Sequence, residues 1–177
     1  FAPAHWYDVL LDGPKRDAQI SHLKEIVRTL GRVGIPTMGY CFTLAGVFGR
    51  SEGPFARGDA KSVGFQNPPQ KPIQGGMVWN MVYDREQFDP AGGKGVIAPF
   101  SHDELWDRFA RFMGEMAPVA EEANVRLALH PDDPPGPALG GVARVIRDFA
   151  GYQRAVQIAD SDHFGLCFCV GTWAEGG

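Results

Sequence analysis

The chain has 177 residues, 44% of them hydrophobic and 11% aromatic, enough to form one sizeable core. Seventeen basic residues against 21 acidic ones give a formal charge of −4 with no basic run, which argues against a nucleic-acid partner. No apolar stretch approaches the ~20 residues of a membrane span, and the N-terminus lacks the charged-then-apolar pattern of a secretory leader. Three cysteines make no disulfide framework, so a cytoplasmic protein with no membrane partner is expected.

In chain order, His5 follows a short apolar start that could end a strand. Residues 17–30 place Ile20, Leu23, Ile26, Val27 and Leu30 on one helical face, with Asp17 as N-cap and Gly31 and Gly34 closing the segment. The short apolar run 35–42 reads as a strand. A long loop rich in glycine and proline follows, at about 43–100, with a short strand expected at 77–84. Ser101 with Glu104 three positions on is a capping box, and it opens a helix to about Ala123 with Leu105, Phe109, Phe112, Met113 and Met116 at helical spacing. That stripe is read as core packing. Residues 125–130 form the next expected strand, 149–159 a third helix, and 165–172 a closing strand.

Helices alternating with buried strands predict an α/β fold built on a parallel sheet. No G-x-G-x-x-G turn follows a strand, which disfavours a dinucleotide-binding sheet. The unusual residues sit on loops after strands, as in a (β/α)8 TIM barrel. Such a barrel takes about 250 residues, so residues 1–177 are expected to be part of a single TIM-barrel catalytic domain.

The stretch NVRLALHPDDPPGPALGG (124–141) ends an apolar run on His130, Asp132, Asp133 and several prolines. Cys169 falls near the end of the next expected strand, and neighbouring strands lie roughly 4.8 Å apart. Imidazole and thiolate at equal height could share one transition-metal ion. Cys167 points the same way but deeper, where a small apolar side chain packs well. Asp132 and Asp133 either cap the loop turn or reach a substrate hydroxyl. Arg50 could fork onto a carboxylate or remain a solvated loop residue. His22, His102 and His163 carry no assigned role.

Read together, HPDDPP (130–135) with Gly141 and Arg144 downstream, GLCFCVGT (165–172), TMGYCFTLAGVFGRS (37–51) and PAH (3–5) resemble the mannonate dehydratase family. These are TIM-barrel enzymes related to the xylose-isomerase-like sugar enzymes. The resemblance implies a lyase of hexuronate breakdown that dehydrates the sugar acid D-mannonate to 2-keto-3-deoxy-D-gluconate with a divalent metal, manganese (Mn2+) or iron (Fe2+). By motif position it implies His130 and Cys169 as metal ligands and Arg50, His5 and one of Asp132 or Asp133 as substrate contacts. Val47 and Phe48 stand where the family pattern has an aspartate-tryptophan pair. The competing readings are a metal-dependent sugar isomerase or epimerase on the same barrel, and a non-catalytic metal-binding fragment if the protein ends at Gly177. A homo-oligomer stays open.

Overall fold

The structure is a computed structural model that describes residues 6–44, 51–64, 99–139 and 141–176. Its first part runs α1 (Tyr7–Leu11), α2 (Arg16–Arg32), β1 (Thr37–Cys41), β2 (Ser51–Gly53) and β3 (Ser62–Gly64). The second runs α3 (His102–Ala123), β4 (Arg126–His130), β5 (Ala138–Leu139), β6 (Val142–Ala143), α4 (Phe149–Ala159), β7 (Phe164–Leu166) and α5 (Val170–Gly176).

Strands β1, β4 and β7 form a parallel sheet in the order β1-β4-β7. Side chains alternate across it. Met38, Tyr40, Leu127 and Leu129 are buried in the core shared with Phe109, Phe112, Met113 and Met116 of α3. The Tyr40 hydroxyl donates to Met113 Sδ at 3.4 Å, and the Tyr40 and Phe112 rings lie 5.6 Å apart. Phe109 is wholly buried against Phe42 and Phe164; deleting such a ring costs about 3–5 kcal/mol. The other face carries Gly39, Ala128 and Gly165 in register, then Cys41 opposite His130. A Cβ at Gly39 or Gly165 would meet nothing within 4 Å, so this face is open among the described residues.

Local chemistry explains the helices. Ser101 Oγ accepts from the Glu104 N–H (3.2 Å) and Glu104 Oε2 accepts from the Ser101 N–H (2.7 Å), which is the expected capping box. Asp148 caps α4 by accepting the Gly151 N–H at 2.8 Å. At α2 the expected Asp17 cap is not seen. The helix starts one residue earlier, and Asp17 lies exposed in its first turn, where a carboxylate still suits the positive end of the helix dipole. Gly34 adopts φ 75° after α2, and the Ile35 N–H turns back to the Leu30 carbonyl at 2.9 Å. Ion pairs from Arg16 (2.7 Å) and Lys24 (3.1 Å) to Glu115 join α2 to α3.

Two expectations change. The strand expected at 165–172 pairs only through Leu166, with one further bond from the Cys167 N–H to the Leu129 carbonyl, and Val170–Gly176 is helical. Its two cysteines, Val170 and Phe168 read as a strand, but local bonds around Cys169 and the packing of Trp173 override that propensity. In the long loop, β2 and β3 form an antiparallel hairpin around a 3-10 turn at Arg57–Asp59. The strand expected at 77–84 lies outside the described residues. No described helix is long and apolar enough to cross a membrane.

Candidate metal centre

The site is built at the carboxyl ends of the sheet. His130 is the last residue of β4 and is half-buried. Its Nδ1 lies 2.7 Å from the Pro131 carbonyl, which can only accept, so Nδ1 carries the proton in that contact. Neutral His130 therefore keeps its lone pair on Nε2, the arrangement that metal-binding histidines use.

Cys169 sits three residues past β7, in the turn that opens α5. Thr172 Oγ1 donates to its sulfur at 3.2 Å, and the Cys169 carbonyl accepts the Trp173 N–H at 3.1 Å. The Thr172 hydroxyl, with the backbone N–H groups of Thr172 and Gly171, holds the Cys169 thiol below its ordinary value against a smaller opposing effect of burial. The two segments converge: Pro131 and Thr172 line one cavity of about 160 Å³, together with Asp148, Tyr152 and Trp173.

The loop after β4 is held by buried charge. Asp132 is 2% exposed, and Arg144 is 0% exposed. Asp132 Oδ2 accepts the Ile146 N–H at 2.8 Å, while the Asp132 N–H donates to the Ile146 carbonyl at 2.7 Å. Arg144 Nη1 donates to the Pro134 carbonyl at 2.5 Å, across a loop whose Asp133–Pro134 bond is cis. Burial pushes the Asp132 carboxyl up, and the Arg144 charge and the Ile146 N–H pull it back. The Asp132 carboxylate thus ties the loop to Ile146. Asp133 is half-buried and closer to solvent.

Cys41 stands directly opposite His130. Burial first, then the charges of Asp132 and Cys167, push its thiol up to about 12. In the metal-free protein at neutral pH it is a protonated thiol. The sequence signal for Cys41 was its place at the end of the first strand, but the register that sets it beside His130 is a tertiary fact. Thr172 was likewise visible only as the residue after the C-x-G pattern.

The histidines without an assigned role are accounted for structurally in two cases. His102 Nε2 donates to the Pro137 carbonyl at 2.9 Å, and His163, before β7, contacts Asn124 Oδ1 at 3.3 Å. Arg50 and His5 lie outside the described residues.

Residues 96–176 match the family described as D-mannonate dehydratase (UxuA). The chain is 31% identical over 185 residues to mannonate dehydratase of Streptococcus suis, covering 98% of this chain and 48% of that protein. By sequence and fold, the chain is similar to mannonate dehydratases. It is also 29% identical over 180 residues to mannonate dehydratase 2 of Halalkalibacterium halodurans, covering 96% of this chain and 50% of that protein. The fold superposes on the crystal structure of mannonate dehydratase from Streptococcus suis serotype 2 with a TM-score of 0.72 and 28% identity, over 94% of this chain and 44% of that one. The chain spans about half the length of the curated relatives it matches.

The donor set fits a first-row transition ion in part. Neutral imidazole and thiolate suit such a metal better than magnesium or calcium. Among the described residues, no group of three His, Cys, Asp or Glu side chains is gathered closely enough to hold a metal.

Proposed function

We propose that the protein is a divalent-metal lyase that dehydrates D-mannonate to 2-keto-3-deoxy-D-gluconate in hexuronate catabolism, in the cytoplasm. In this reading the parallel sheet is part of a TIM barrel, with its chemistry at the carboxyl ends of the strands. The supporting observation is His130: a histidine ending a parallel strand, with Nδ1 committed to the Pro131 carbonyl and Nε2 left for a ligand, in a chain similar to mannonate dehydratases over nearly its whole length.

His130 and Cys169 are proposed as the ligands this chain contributes, with manganese or iron(II) as the metal. A divalent ion there would supply Lewis-acid stabilisation of the negative charge that develops when the proton alpha to the sugar-acid carboxylate is removed. The protein's own part is positioning. The Arg144–Asp132 clamp holds the turn that carries Pro131, and the Pro131 carbonyl fixes the His130 ring. Arg50 is proposed to clamp the substrate carboxylate or hydroxyls by paired hydrogen bonds, with His5 and Asp133 as further substrate contacts. Asp132 is the weaker candidate because its carboxylate is already committed.

The test is an assay of the full chain with D-mannonate, with and without manganese, following 2-keto-3-deoxy-D-gluconate. Metal-dependent product that disappears in Cys169→Ser and His130→Ala is the expected result. Turnover of aldoses with no dehydration of D-mannonate would instead assign the site to a sugar isomerase or epimerase.

A further inference from the structure

Cys169 lies beyond the reach of the sheet. The last paired residue of β7 is Leu166, and the last ladder-type bond is from the Cys167 N–H to the Leu129 carbonyl. Nothing in the strand therefore fixes the Cys169 sulfur; the turn into α5 must. Thr172 is the side chain placed to do it. It is 3% exposed, and its Oγ1 donates to Cys169 Sγ at 3.2 Å. A threonine hydroxyl has one proton to give, and here it is given to sulfur.

The turn is anchored from the other side as well. Trp173 donates its N–H to the Cys169 carbonyl, and its ring stacks on buried Tyr152 of α4 at 5.4 Å and 14°. Thr172 also shares the cavity of about 160 Å³ with Pro131, the residue that orients His130. The supports of the two candidate ligands thus meet at one place.

We infer that Thr172 is a positioning residue: its hydroxyl holds the Cys169 sulfur toward the ion and tempers its electron donation through a hydrogen bond. This rests on the reading of Cys169 as a metal ligand. A hydrogen bond to a metal-bound thiolate stabilises the sulfur lone pairs, so sulfur-to-metal charge transfer moves to higher energy. Partners of this kind typically change metal affinity about 10- to 100-fold when removed.

The experiment is cobalt(II) titration of the full chain, reading the thiolate-to-cobalt charge-transfer band, with far-ultraviolet circular dichroism as a check on folding. Thr172→Val is expected to move the band to longer wavelength and weaken cobalt binding about tenfold, while Thr172→Ser keeps both as in the wild type. Cys169→Ser abolishes the band. If Thr172→Val does not fold, Thr172→Ala removes the same hydroxyl without adding bulk and is read in the same way. A band and affinity unchanged without the hydroxyl, with Cys169→Ser still losing the band, would overturn the role of Thr172 and leave the ligand assignment standing. No thiolate band in the wild type, or one that survives Cys169→Ser, would overturn the ligand assignment and the role of Thr172 with it.

Discussion

Cys41 and His130 stand opposite one another at the carboxyl ends of two adjacent parallel strands, on the sheet face that α3 does not cover. The pair brings a thiol next to the proposed metal ligand, yet burial and neighbouring negative charge keep that thiol protonated. Cys169, whose sulfur is surrounded by donors, is the more acidic of the two. In the metal-free protein at pH 7.5, iodoacetamide should modify Cys169 well before Cys41. Peptide mapping after short exposures checks the order, and early labelling of Cys41 would contradict the placement of both groups.

The buried clamp should be costly to break. Arg144→Met leaves Asp132 without its neighbouring positive charge and the Pro134 carbonyl with the Gly136 N–H but no guanidinium donor. Removing one partner from a buried charge arrangement typically costs about 3–5 kcal/mol. Urea unfolding of wild type and variant measures this directly. A loss under about 1 kcal/mol would mean that the loop is held by something else.

Close backbone contact sets the seat of α4. A Cβ at Gly151 would overlap the Val145 carbonyl oxygen, immediately before the Ile146 amide that Asp132 accepts. Gly151→Ala should therefore destabilise the fold by about 1–3 kcal/mol, as other overpacking substitutions do. It should also disturb the Asp132 loop. Thermal unfolding reads the first effect and the cobalt spectrum the second.

Glu115 joins α2 to α3 and makes the fold sensitive to acid. Burial pushes its carboxyl up, but the hydrogen bonds from Arg16 and Lys24 and their charges more than offset this, leaving it below its ordinary value of 4.5. Because the folded value is the lower one, this contribution is complete above about pH 4.5 and is lost as pH falls through the folded value. Glu115→Gln should lower stability at pH 7 by up to about 1 kcal/mol, since the pair is partly exposed. The gap between wild type and variant should close below pH 4.5. Urea midpoints across pH 3–7 test it, and a gap that widens in acid would rule the account out.

The sequence by itself determined the long helices and the core. The 3.6-residue spacing from Leu105 to Met116 and the Ser101–Glu104 pair specify α3, because caps and amphipathic stripes are local chemistry. It also determined that a strand ends on His130 and that alternating elements make a parallel sheet. The rest needed the third dimension. The same residue types that suggested a strand through Thr172 allow a helix from Val170, and the difference lies in the stacking of Trp173 on Tyr152 and the bonds Thr172 makes to Cys169. Nothing in the sequence separates Asp132 from its neighbour Asp133. Only the fold does, by burying the first beside Arg144 and Ile146, residues that are 12 and 14 positions away and reach it only because the loop turns back on itself.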